Sequence, residues 1–168
     1  MKRYREEYVG SLIDIYDPMP TPPAPTNTVT LYVACSRNED TKAGGWATIV
    51  VGADGQARSL TGSELDTTAC RLEVIATVKA LRTLQEPTLV HLVTDSEYLF
   101  RGVTEWLPNW MLRNFKNIQH RDVWEQAGEL IGKHTIAKQQ VRAPDSDPLK
   151  RQCQQLARSQ AGQISYYD

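Results

Sequence analysis

Cysteine is scarce in this chain, with Cys35, Cys70 and Cys153 far apart and odd in number. That pattern excludes a disulfide framework and a CxxC metal knuckle, and leaves reduced thiols as the expectation. Long apolar runs are also missing, since no stretch approaches the ~20 residues that cross a bilayer. The charged start, Lys2, Arg3, Arg5, Glu6 and Glu7, is not followed by a signal-peptide core. A soluble, cytoplasmic protein without a membrane partner is therefore expected. Net charge is nearly absent, at −1, which argues against indiscriminate adhesion to polyanions. What remains is 168 residues, 40% of them hydrophobic, enough for one domain to bury a core without disulfides or structural metal.

The charge is unevenly spread. Residues 29–100 hold six Lys/Arg against nine Asp/Glu, whereas residues 101–158 hold ten against six. A nucleic-acid contact is expected mainly in the second half. Near the start, Tyr4, Tyr8, Leu12 and Tyr16 fall four apart with Val9 and Ile13 beside them, the spacing of an apolar stripe on a helix. Gly10 weakens that helix by about 1 kcal/mol, and Pro18 ends it. Residues 17–28 carry five prolines between Pro18 and Pro25 and should run extended as a stiff linker. Residues 1–28 thus read as an arm and linker, 29–160 as a domain, and 161–168 as a tail. The arm, and Ile164, Tyr166 and Tyr167 in the tail, are candidates for docking on a protein partner or a second copy.

Within the domain, residues 30–35, 45–51 and 57–62 are apolar and β-branched enough for a three-stranded meander. Thr67 and Thr68 predict the N-terminal cap of a helix through Leu84, buried through Leu72, Ile75, Ala76, Val78 and Leu81. Residues 88–94 predict a fourth strand and Asp95-Ser96 the opening of a helix to about Val103. A short segment from Trp106 to Trp110 follows, then a helix over 121–131, a fifth strand over 135–141 and a last helix over 148–159 with Pro148 in its first turn. The order gives an α/β fold with a central five-stranded mixed sheet flanked by helices in three layers.

Five local patterns stand out in order: LYVACS (31–36) followed by AGGWA (43–47); TTACRLEVIATVKAL (67–81); TDSEYL (94–99); WLPNW (106–110) with RDVW (121–124); and VRAPDSDPLKRQCQQLAR (141–158). Together they resemble a type 1 ribonuclease H over nearly all of residues 29–160. The resemblance implies a ribonuclease H-like fold and two-metal phosphodiester hydrolysis, in which four carboxylates hold two Mg²⁺ ions about 4 Å apart. Carried over by position, the second and third carboxylates fall on Glu73 and Asp95. The first falls on Ala34, the fourth on Gln154, and the histidine near the scissile phosphate on Pro144. Ala cannot coordinate, Gln offers a neutral oxygen, and the Pro side chain neither donates nor accepts a proton.

The resemblance therefore implies a degenerate active site with no required cofactor. Glu73 and Asp95 are left either with a weak single Mg²⁺ site, bound through water, or with ion pairs to Arg71 or Lys79. Asp145 and Asp147 leave ligand relocation open beside a plain helix-capping turn. Cys35, Cys70 and Cys153 each fall beside a catalytic-centre position, which sets a converging Zn²⁺ site against ordinary buried thiols. For binding, Thr67 and Thr68 match positions that hold a backbone phosphate, with a simple N-cap as the alternative. The asparagine pair that senses a 2′-hydroxyl is here Ala69 and Cys70, and the following strand-end glutamine is Glu97. Trp106, Trp110, Phe115 and Trp124, interleaved with Arg113, Lys116, His120 and Arg121, resemble a shortened basic handle. Its tryptophans are expected in the core and its cations exposed. Lys138, Arg142, Lys150 and Arg151 are expected to extend the positive surface.

The expected function is a catalytically silent nucleic-acid-binding protein favouring RNA or single strands, through Thr67, Thr68, Arg113, Lys116, Arg121 and Arg142. A residual or relocated metal-dependent endonuclease on RNA/DNA hybrids is the first alternative, and a protein-interaction scaffold the second.

Overall fold

The computed structural model describes residues 22–163. The expected Tyr4/Tyr8/Leu12/Tyr16 helix, the first part of the Pro-rich linker and the tail from Ile164 lie outside the described residues. Strands β1 (Asn27–Arg37), β2 (Gly44–Gly52) and β3 (Ala57–Glu64) form the antiparallel meander. Helix α1 (Ala69–Arg82) then returns the chain to β4 (Thr88–Val93), parallel to β1. A helical run follows through α2 (Glu97–Arg101), a π turn (Gly102–Trp106) and α3 (Leu107–Leu112). Helix α4 (Arg121–Ile131), the short β5 (Thr135–Ile136) and α5 (Pro148–Gln163) complete the order. The five strands lie in the order β3-β2-β1-β4-β5, with β5 parallel to β4. Helix α1 covers one face of β1 and β2 with α4 behind it, and α5 covers the other, which makes three layers.

The AGGWA motif sets how closely these layers approach. A Cβ on Gly45 would run into the backbone of Ala157 and Ala161 on α5, and one on Gly44 would press on Leu72 of α1 and on Thr67. Only residues without side chains let β2 sit between both helices. The main core gathers Leu31, Val74, Val78, Leu81, Val90, Leu92, Leu99 and Trp124 on the α1 side, while Ala47, Ile49, Cys153 and Ala157 fill the α5 side.

Two expected elements come out differently. The fifth strand, expected over 135–141, pairs regularly only at Thr135 and Ile136. The chain leaves the sheet at Ala137-Lys138-Gln139-Gln140 and returns for one bridge, Val93 to Val141. Those four residues offer nothing β-branched to hold an edge strand down. The helix expected to about Val103 and the short segment expected from Trp106 to Trp110 are one run joined by the π turn, where the Leu107 N–H bonds to the Gly102 carbonyl. Pro108 explains the irregularity, because it has no N–H for the Thr104 carbonyl. The Lys138 ammonium donates to that carbonyl at 3.3 Å instead.

Candidate functional site

Strands β1 and β4 run parallel with Tyr32 beside Val93, so Val33-Ala34 and Thr94-Asp95 emerge together at their carboxyl ends. β1 stays paired with β2 as far as Arg37 while its pairing with β4 stops at Tyr32 and Val93, so a crevice opens where β4 gives way to the α2 run, the usual ligand position in an open α/β sheet. Its walls include Ala34, Cys35, Glu73, Asp95, Ser96, Lys150, Cys153 and Gln154, around a cavity of ≈ 180 Å³. The four residues that the resemblance assigns to the carboxylate positions, Ala34, Glu73, Asp95 and Gln154, therefore converge. Pro144 is exposed and is not part of the wall.

Each retained carboxylate has a partner, and neither is Arg71 or Lys79. The Ser96 hydroxyl donates to Glu73 Oε2 at 2.6 Å and accepts from the Leu99 N–H at 3.0 Å, so one side chain caps α2 and restrains Glu73. Burial raises the Glu73 pKa, and the Ser96 bond opposes the shift. Asp95 Oδ2 lies 2.8 Å from Lys150 Nζ, and the Asp95 carbonyl accepts from Arg142 Nη1 at 2.9 Å. Arg71 instead bonds Glu64 at 2.9 Å and grips Asp122 with both terminal nitrogens, tying β3, α1 and α4 together.

Lys150 was expected on the positive surface. Its side chain is only 12% exposed, and its ammonium reaches Asp95, Asp145 Oδ1 at 3.0 Å and the Ala143 carbonyl at 2.9 Å. The bonds to Asp95 and Asp145 raise its pKa. One cue lay in the sequence: Lys150 precedes Gln154 by four residues, so the two share a helix face. Asp147 takes the capping role, accepting from the N–H groups of Leu149 at 2.8 Å and Lys150 at 3.2 Å, while the Tyr32 hydroxyl donates to its other oxygen at 3.0 Å.

The thiols differ from one another. Cys153 is buried, with Sγ 3.3 Å from the Ala47 carbonyl, and burial pushes its pKa up to about 12. Burial, with Glu73 nearby, raises Cys35 to about 12 as well. Cys70 is exposed rather than buried. Among the described residues, no three His, Cys, Asp or Glu side chains are grouped to hold a metal ion.

Of the expected nucleic-acid contacts, Thr67 is 4% exposed and turned into the fold. Thr68 is exposed and caps α1 through the Arg71 N–H at 3.2 Å. The segment expected as a handle is a loop over residues 113–120, in which Asn114, Phe115, Asn117 and His120 have positive φ. Beneath it, Trp124 is fully buried and donates to the Tyr98 hydroxyl at 2.9 Å. Trp110 meets Trp124 edge-on at 5.0 Å, and Trp106 stacks outward under Arg101. Trp124 thus lies in the core, as expected, with Trp110 half-buried against it, whereas Trp106 is outside the core cluster. Arg113 and Lys116 are exposed, whereas Arg121 pairs with Glu125 at 2.9 Å.

Sheet order, helix placement and the crevice at the ends of β1 and β4 define an α/β protein of the ribonuclease H-like class. The RNase H family model matches residues 26–162, and the chain belongs to that family, on the type 1 side. It is 40% identical over 119 residues to a ribonuclease H of Pseudomonas paraeruginosa (strain DSM 24068 / PA7), covering 68% of this chain and 80% of the relative. With a ribonuclease H of Campylobacter concisus (strain 13826) it shares 35% over 136 residues, or 81% of this chain and 94% of the relative. Among solved structures, a type 1 RNase H with the type 2 active-site motif superposes with TM-score 0.66 at 22% identity, over 87% of this chain and 75% of that one. A foamy viral protease-reverse transcriptase in complex with RNA/DNA hybrid gives TM-score 0.64 at 20% identity, over 82% of this chain and 20% of that one.

Proposed function

We propose that this chain is a catalytically silent member of the RNase H family that binds nucleic acid, with RNA or single strands preferred. One observation carries the reading. The carboxylate of Asp95 is engaged by the Lys150 ammonium at 2.8 Å, in a crevice where Ala34 and Gln154 stand at the other two ligand positions. Two divalent cations need anionic oxygens that bridge them, and this donor set does not fit a pair of them. Asp145 and Asp147 do not make up the loss, because Asp145 faces Lys150 and Asp147 caps α5.

Binding needs less than cleavage. Unit charges 4 Å apart repel by ~4 kcal/mol at an effective dielectric of 20, so a crevice with Ala34 and Gln154 repels a phosphate less than one with four carboxylates. Arg113 and Lys116 on the handle, Arg121 beside them, and Arg142 and Thr68 at the crevice edges are the groups that meet the backbone. Fluorescence anisotropy with labelled RNA, single-stranded DNA and RNA/DNA hybrid tests this. Affinity should fall with salt at a log–log slope of about −2 to −3.5, as for three to five phosphates at ~0.7 each. Arg113→Ala with Lys116→Ala should reduce the slope by roughly 1.4. No salt-dependent binding at low ionic strength contradicts the reading.

A second reading, a metal-dependent nuclease on RNA/DNA hybrids, draws on Glu73 and Asp95 and on relatives named ribonuclease H. It requires Lys150 to release Asp95.

A further inference from the structure

We propose that the Lys150 ammonium occupies the place a divalent cation would take in this fold, making the crevice a metal-excluding site with its own tethered cation. The inference rests on the assignment of Ala34, Glu73, Asp95 and Gln154 to the family's ligand positions, and deepens the proposal of a silent site by naming what replaced the metal.

The geometry of Lys150 is that of a coordinated cation. An ammonium has three donors and no acceptor, and here three oxygens stand within bonding distance: Asp95 Oδ2 at 2.8 Å, Ala143 O at 2.9 Å and Asp145 Oδ1 at 3.0 Å. One oxygen comes from the end of β4 and two from the loop before α5, so the charge joins the elements that frame the crevice. Its anchor is fixed as well. Lys150 lies in the first turn of α5, where its own N–H bonds to Asp147 Oδ1 at 3.2 Å. The Lys150 side chain is 12% exposed, whereas its Asp95 partner is 55% exposed.

Charge counting points the same way. Four family carboxylates hold four negative charges that recruit metal. Glu73, Asp95, Asp145 and Lys150 together hold two net negative charges, and Glu73 is further satisfied by the Ser96 hydroxyl at 2.6 Å. A divalent ion entering this crevice must displace an ammonium that is covalently attached to the wall and always present.

Mn²⁺ alone, added to the full chain without nucleic acid, tests the inference independently of the binding proposal. In amide NMR spectra of the native chain, Mn²⁺ should cause no localised broadening at Cys35, Glu73, Asp95 or Ser96. Lys150→Ala should produce broadening centred on Glu73 and Asp95, and Lys150→Arg should not. Broadening at those amides in the native chain at the Mn²⁺ concentration that acts on Lys150→Ala overturns the inference, as does its absence from a folded Lys150→Ala chain. If Lys150→Ala does not fold, Lys150→Met keeps the stem without the charge and takes its place. A urea-unfolding cycle of Lys150→Met and Asp95→Asn gives the second readout. The pair should be coupled by about tenfold in the unfolding constant, and additive effects overturn the ion-pair basis. A chain that binds no RNA yet excludes Mn²⁺ refutes the binding proposal and leaves this one standing.

Discussion

Thr48 lies in the middle of β2, fully buried, and its hydroxyl has no hydrogen-bond partner among the described residues. A buried donor left unmade costs about 1–3 kcal/mol, and valine has nearly the same shape. Thr48→Val should therefore raise stability by about 1 kcal/mol in urea denaturation, and a loss of that size would reveal an unseen partner. At Glu73 and Asp95 the same accounting gives the opposite result, since each carboxylate has a specific donor, Ser96 or Lys150. These side chains are satisfied from within the protein. Sequence alone could locate both carboxylates, because TDSEYL and the RxE helix are local patterns, but it could not pair them. Lys150 reads as one more surface cation until α5 is laid across the sheet, and Ser96 reads only as a helix cap.

At the scale of elements, Gly45 governs the docking of α5 on β2. Gly45→Ala should cost on the order of 1–3 kcal/mol through overpacking, visible as a lower urea midpoint, and an unchanged midpoint would mean that α5 can slide. His134 governs the junction of β4 and β5, where its Nδ1 accepts from the Thr88 N–H at 3.2 Å. Burial first, and then the charge of Lys133, hold its pKa below the ordinary 6.5. The unfolded chain takes up a proton that the folded one resists, so this contribution is fully present above pH 6.5 and is lost as pH falls through 6.5 toward the folded value. His120, lowered by burial and by Arg71, adds a fall in the same direction. The pH dependence of the urea midpoint should be shallower in His134→Gln than in the native chain, and an identical slope contradicts the assignment. The meander, α1 and α5 were legible because period and capping are local. The π turn and the end of β5 were not: the first depends on Pro108 leaving a carbonyl for distant Lys138, and the second on a polar stretch bulging from a sheet edge.

For the whole molecule, Arg113 and Lys116 lie exposed on the handle loop and Arg142 bonds the Asp95 carbonyl, while Arg151 and Arg158 ride on α5 across the meander. Trp124, Trp110 and Trp106 pack in sequence against one another, and Arg113 and Lys116 on the loop after α3 are exposed. The same architecture brings the four positions singled out by the resemblance to one crevice, lined there by two carboxylates, a methyl group, an amide and an ammonium. The account stands on that replacement, so the most direct measurement is hydrolysis of a labelled RNA/DNA hybrid by the native chain in Mg²⁺ and in Mn²⁺. No cleavage beyond the protein-free control is predicted. Divalent-dependent cleavage that disappears in both Glu73→Ala and Asp95→Ala would contradict it.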